Sequence, residues 1–105
     1  MTPIDFNGID TTVHGPVRLG VLSALQMDGA LDFTTLVKRL GVVDGALGVH
    51  LRKLEDGGYI ACKKTFIGRR PKSTYRLTRQ GRDALRRYLR SMQELIDSLN
   101  PAKDT

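Results

Sequence analysis

Apolar residues along this chain recur first at helical and then at alternating spacing, which predicts a run of helices, a hairpin and a final long helix. From His14 to Gln26 the stretch HGPVRLGVLSALQ is apolar almost all round. Pro16 suits its first turn, where a missing N–H leaves nothing unsatisfied. A helix apolar on more than one side packs on more than one side, so one face is expected in the core and another, through Val17 and Val21, against a second copy. Asp28-Gly29 ends it. Leu31-Asp32-Phe33 reads as a short extended piece, with Asp32 placed to cap the next helix, where Phe33, Leu36, Val37 and Leu40 share one face and Gly41 is the stop.

A third helix is expected from Asp44, read as its cap, to Asp56. Leu47, Leu51 and Leu54 form its buried face, and Gly57-Gly58 closes it. Two short helices joined by a turn of about three or four residues make a helix-turn-helix. The period then becomes two. Ile60 and Cys62 point one way, Ala61 and Lys63 the other. After Phe66 comes the basic loop IGRRPKS and then a strand, Thr74 to Leu77, with Tyr75 and Leu77 inward, so a β-hairpin with a long, exposed, cationic tip is predicted.

Thr78 caps a last helix reaching Leu99, before Asn100-Pro101. Leu85, Tyr88, Leu89, Met92, Leu95, Ile96 and Leu99 repeat at three and four residues along roughly 33 Å, too far for one small domain to cover. A partner helix from a second copy is the economical solution. The expectation is therefore a mainly α (α+β) single domain over residues 1–105: a loosely ordered arm at 1–12, a core at 13–77 and a dimerisation helix at 78–100. The dimer contacts are assigned to Val17, Val21, Leu89, Met92, Leu95, Ile96 and Leu99.

Charge sharpens this picture. Net charge is +6, but residues 50–90 hold 13 Lys/Arg against 3 Asp/Glu while each flank is near −2, a distribution that suits a polyanion-binding face. Cys62, the one cysteine, cannot form an internal disulfide, and a reducing, cytoplasmic setting is the natural reading. No apolar run is long enough for a membrane span, and the first residues do not read as a secretory signal.

Three stretches carry a specific resemblance: His14 to Leu25 (HGPVRLGVLSAL), Asp44 to Ile60 (DGALGVHLRKLEDGGYI) and Gly68 to Gly81 (GRRPKSTYRLTRQG). The last is the most diagnostic, a basic wing followed by Tyr-x-Leu-Thr-x-x-Gly. In these the chain resembles the MarR/ArsR-like winged helix-turn-helix transcriptional regulators, in their short branch without a ligand domain. The resemblance implies a homodimer on double-stranded DNA, with the third helix in the major groove.

The residues support that reading on their own chemistry. With its leucine face buried, the third helix presents Gly45, Gly48, Val49 and Arg52, with Ala46 at the side, and Arg52 and Lys53 reach phosphates or guanine edges. Arg69, Arg70 and Lys72 at the hairpin tip suit phosphates or a minor groove; Arg76 and Arg79 extend that surface. Related sequences tend to carry hydrogen-bonding side chains where this one has Ala46, Gly48 and Val49. Affinity is therefore expected to come largely from phosphates and DNA shape, with selectivity from Arg52 and the wing.

The remaining reactive residues read as structural. His50 lies at the edge of the core, His14 has no neighbour in sequence to act with, and Cys62 alternates inward. Metal sensing and any cofactor are rejected because no ligand cluster exists, and catalysis because there is no nucleophile–base pair, carboxylate dyad or phosphate loop. Glu55 and Asp56 are expected to pair locally with Lys53, and Arg86, Arg87 and Arg90 to form a solvated face. Two functions stay open: a regulator, most simply a repressor on a pseudo-palindromic site, and a winged helix used only for protein contacts. RNA binding is a weaker third, for want of exposed stacking aromatics. A small-molecule effector is compatible with either, but no residues point to its site.

Overall fold

The computed structural model describes residues 8–100. Its elements run α1 (Pro16–Asp28), β1 (Leu31–Asp32), α2 (Phe33–Leu40), α3 (Asp44–Asp56), β2 (Ile60–Ile67), β3 (Arg70–Leu77) and α4 (Arg79–Leu99).

Local chemistry sets most of these boundaries. Pro16 opens α1 and the Gly29 N–H closes it on the Leu25 carbonyl at 3.0 Å. The Asp32 carboxylate caps α2 by accepting from the Thr35 N–H at 3.3 Å, and Gly41 ends it in the left-handed region at φ 64°. At α3 the expectation shifts by one position. Val43 is the capping residue and has no side-chain acceptor, while Asp44 is already inside the first turn. There its carboxylate favours the helix through the N-terminal dipole instead of a cap hydrogen bond.

Leu22, Leu36, Leu47, Leu51 and Leu54 are at most 1% exposed and form the centre of the core, with Ile60 and Leu77 closing it from the sheet. Helix α1 lies at its middle, packed against α2, α3, α4 and β3. Its all-round apolar surface is thus used within one chain. Val21 is 0% exposed, so the expectation that it faces a second copy is corrected: α1's neighbours in the same chain cover it. Val17 is half-buried.

The sheet has three strands, in the order β1-β3-β2. The extended piece at Leu31–Asp32 pairs with Tyr75 and Thr74 of β3, adding an edge strand to the expected hairpin. The hairpin itself is longer and tighter than the sequence suggested. Its antiparallel register runs unbroken from Ile60↔Leu77 to Ile67↔Arg70, leaving Gly68-Arg69 as a two-residue turn. Gly68 has φ 63° and Arg69 does not have positive φ, the pattern of a hairpin turn with glycine first. The cations of IGRRPKS therefore stand mostly on a strand, not on a loose loop.

Helix α4 begins on a close approach. Thr78 Oγ1 accepts from the Gly81 N–H at 3.0 Å and donates to the Gly58 carbonyl at 2.6 Å, while the Thr78 N–H donates to the Tyr59 carbonyl at 3.1 Å. The Thr-x-x-Gly sequence thus has a physical reason. Threonine caps the helix and ties it to the turn after α3, and glycine leaves room for the Tyr59 carbonyl beneath it. Gly81, Ala84, Leu85 and Tyr88 are buried; past Tyr88, Leu89 is 52%, Ile96 49% and Leu99 75% exposed. The far half of α4 carries an apolar face that its own chain does not cover.

Residues 8–13 are fastened to the fold, contrary to the loose arm expected there; residues 1–7 of that arm lie outside the described residues. Asp10 accepts from the Thr12 and Val13 N–H groups at 2.8 and 3.2 Å and from the Tyr59 hydroxyl. Val13 is 0% exposed. Burial and Val13 provide the apolar anchor, and Asp10 satisfies the backbone that bends around it.

Candidate nucleic-acid interface

The leucine face of α3 is buried against the core, so the opposite face is open to solvent. Gly45, Ala46, Val49, Arg52 and Lys53 are exposed and Gly48 is half-buried. Val43 and Val49 are 73% and 65% exposed. Gly45, Ala46, Gly48 and Val49 therefore offer a solvent-facing surface without one side-chain hydrogen-bond donor, and Arg52 and Lys53 stand a turn further on. Among the described residues the ion pair formed is Arg39–Asp28. The expected pairing of Lys53 with Glu55 or Asp56 is not made, which leaves Lys53 available to a partner.

A Cβ built on Gly45 or Gly48 meets nothing within 4 Å. Packing thus does not demand these glycines, although Gly48, inside the helix, costs it about 0.5–1 kcal/mol relative to alanine. Gly48→Ala is expected to raise stability by about that amount, and Tm by about 4 °C, in a thermal melt. A lowered Tm would mean that the helix needs a glycine there after all.

On the hairpin, alternation and register sort the cations. Ile60, Cys62, Lys64 and Phe66 share one face with Leu77, Tyr75, Ser73 and Pro71; Ala61, Lys63, Thr65 and Ile67 share the other with Arg76, Thr74, Lys72 and Arg70. The second face collects Lys63, Arg70, Lys72 and Arg76, with Arg69 at the turn. Lys63 was missed from sequence. The signal for it was the pairing register, which is legible once Gly68-Arg69 is recognised as a two-residue turn. Lys72 is half-buried near Asp32. The Thr35 hydrogen bond foremost, with the Lys72 charge adding to it, holds the Asp32 carboxyl below its usual range.

Cys62 lies opposite Tyr75, half-buried and unbridged. Burial above all, with the Cys62 thiol nearby, pushes the Tyr75 phenol up to about 12. Among the described residues no three ligating side chains converge on a metal site, and no helix is long and apolar enough to cross a membrane. Arg79, Arg82, Arg86, Arg87 and Arg90 are exposed on α4.

Arg18 escaped the sequence reading. Its guanidinium donates to the Thr12 carbonyl at 2.7 Å, the His14 carbonyl at 3.0 Å and the Thr11 carbonyl at 3.3 Å, and Nη1 lies 3.2 Å from His50 Nδ1. Because arginine only donates, His50 Nδ1 is the acceptor in this contact. His14 Nδ1 lies 2.8 Å from the Tyr88 hydroxyl. Both histidines are therefore structural polar groups, one at the edge of α3 as expected and one pinning the segment before α1 to α4. An arginine inside an otherwise apolar helix was the available clue.

Residues 17–96 match the family described as winged helix DNA-binding domain. An uncharacterized protein of Methanocaldococcus jannaschii is 34% identical over 83 residues, which cover 79% of this chain and 90% of that protein. A transcriptional regulator homologue from Pyrococcus horikoshii OT3 superposes with a TM-score of 0.78 at 31% identity, over 85% of this chain and 88% of that one. A MarR-family transcriptional regulator from Enterococcus faecalis V583 superposes with a TM-score of 0.69 at 25% identity, over 90% of this chain and 84% of that one.

Proposed function

We propose, from the premise that this chain belongs to the winged helix DNA-binding domain family, that it is a homodimeric transcriptional repressor of MarR type acting in the cytoplasm. In this reading α3 enters the major groove of each half of a pseudo-palindromic operator. The hairpin lies on the phosphates or in the adjacent minor groove, and the dimer is held through Val17, Leu89, Met92, Leu95, Ile96 and Leu99. Residues 13–77 form the DNA-reading core and 78–100 the dimerisation helix.

The observation that carries the proposal is the alignment of Lys63, Arg70, Lys72 and Arg76 on one hairpin face beside Arg69 at its turn. From Gly57 to Arg82 the sequence contains no Asp or Glu. Such a face repels itself unless a polyanion meets it. A bare α3 surface then confines direct readout to Arg52 and to contact of Ala46 and Val49 with thymine methyls.

Fluorescence anisotropy with random-sequence and own-promoter duplexes across a salt series tests this. Micromolar or tighter binding that falls steeply with salt is expected, with the own-promoter duplex bound more tightly. Arg69→Ala/Arg70→Ala should weaken binding to both duplexes and reduce the log–log salt slope by about 2. No binding to either duplex at low salt would favour the second reading, a winged helix for protein contact. The observation on that side is the exposed apolar pair of Val43, at the cap of α3, and Val49, on the helix.

A further inference from the structure

Phe66 is 72% and Ile67 63% exposed, which corrects the expectation that this region lacks an exposed aromatic, and together they form the last two rungs of the hairpin before its turn. Phe66 pairs with the exposed Pro71, and Ile67 with Arg70. By alternation Phe66 and Pro71 project from one face of the ribbon and Ile67 from the other, so the tip is apolar on both sides. No element of the described chain reaches it. The cations needed to hold a polyanion are adjacent: Lys64, Arg69, Arg70 and Lys72.

We infer that Phe66 and Ile67 form an apolar wedge that enters the minor groove of duplex DNA and opens a base step there. The inference rests on the DNA-binding reading above. Charge complementarity selects the occupant, because an apolar tip flanked by four cations, of which Lys72 alone has been placed beside an acid, Asp32, meets a polyanion. A two-stranded ribbon, with about 4.8 Å between strand axes, is wider than the minor groove of about 6 Å once its own atoms are counted. Entry of the tip therefore forces the groove open between two phosphate walls that the flanking cations neutralise. Apolar side chains in that position unstack steps and kink the duplex. The ribbon is stiff enough to do so: its register is unbroken, its turn has two residues, and Pro71 has a restricted φ.

The wedge also supplies what α3 lacks. A helix with no side-chain donor from Gly45 to Val49 cannot hydrogen-bond bases along that stretch. A wedge selects sites without hydrogen bonds, because pyrimidine–purine steps (TA, CA/TG) open more easily than others. Phe66 and Ile67 are thus specificity-determining residues that read deformability.

A randomised 30-base-pair library is first selected with the wild-type protein. The winning duplex is then end-labelled with a fluorescence donor–acceptor pair and given 2-aminopurine at its enriched flexible step. The wild type should raise energy transfer, as the ends approach, and raise 2-aminopurine emission, as the step unstacks. Phe66→Ala/Ile67→Ala should lose both signals and bind this duplex about tenfold more weakly. It should keep its salt slope, because no charge is removed, and lose less affinity for random duplex than for the selected one. Since both residues are exposed it should melt as the wild type does. Arg69→Ala/Arg70→Ala should instead weaken binding to both duplexes. A wild-type complex that stays straight and stacked, or an alanine variant with wild-type signals, overturns the wedge and leaves the DNA-binding reading standing. Failure of the wild type to bind any duplex at low salt overturns both. A change in sedimentation mass in the alanine variant, with DNA binding intact, would make the tip a contact between copies and likewise overturn the wedge.

Discussion

Gly81→Ala is expected to unfold the protein or lower its stability by more than about 3 kcal/mol. A Cβ at this position would stand 1.9 Å from the Tyr59 carbonyl oxygen and 2.7 Å from its carbon. Neither atom is the loose end of a side chain. The Tyr59 carbonyl accepts the Thr78 N–H at 3.1 Å, and the same turn holds Thr78 Oγ1 through Gly58. Relieving the clash therefore means lifting the start of α4 off the turn after α3, which also loosens Ala84 and Leu85 from the core. Helix propensity pulls the other way, since alanine is better than glycine by about 1 kcal/mol. Sterics win by a wide margin against the total stability of about 5–15 kcal/mol typical of a domain. Urea or thermal unfolding followed by circular dichroism decides it. A Tm at or above that of the wild type would show that the close approach is not real. Gly48→Ala makes the contrasting control, with the same chemical change at an open helical site and the opposite expected sign.

Leu89→Glu/Ile96→Glu is expected to convert the proposed dimer to a monomer and to weaken operator binding at least about 100-fold, because the two half-sites would no longer be held by one molecule. Both side chains are about half exposed in the single chain, at 52% and 49%, so the substitutions should leave that chain folded, with Tm falling only by what dimerisation contributed. Four acidic side chains brought together across a dimer seam would repel one another in a poorly solvated setting. Sedimentation equilibrium gives the mass, and anisotropy gives the affinity for an own-promoter duplex. A wild type that sediments as a monomer at micromolar concentration, or a variant that remains dimeric, would exclude α4 as the dimer contact.

Those two substitutions lie on the same helix and differ in how visible they were. The apolar stripe from Leu89 to Leu99 was legible because its spacing is local and its length exceeds what one small domain covers. Gly81 stood in a recognisable Thr-x-x-Gly, yet its partner is a carbonyl 22 positions earlier, which no local pattern names. The residues proposed to face DNA divide in the same way. Gly45, Ala46, Val49, Arg52 and Lys53 followed from the leucine spacing of α3, whereas Lys63 and the apolar tip at Phe66 and Ile67 required the strand register. Glycine, proline and clustered charge in IGRRPKS read as a loop by composition, and only cross-strand pairing turns that stretch into β-structure.

By itself the sequence determined what depends on neighbours within a turn or two: the end of α3 at Asp56, the caps at Asp32 and Thr78, the stop at Gly41, and the charge concentrated between residues 50 and 90. Side-chain acceptors, helical period and glycine backbone freedom act over a few residues, so they can be read there. Tertiary structure alone decided that Leu31–Asp32 is a third strand, that Val21 faces inward, that Asp10 is held by Tyr59 and that Arg18 reaches both His50 and the carbonyls before α1. Each joins groups far apart in the chain. Burial and hydrogen bonding depend on which surfaces meet after folding, and an apolar or polar side chain reveals that it needs a partner without revealing which one.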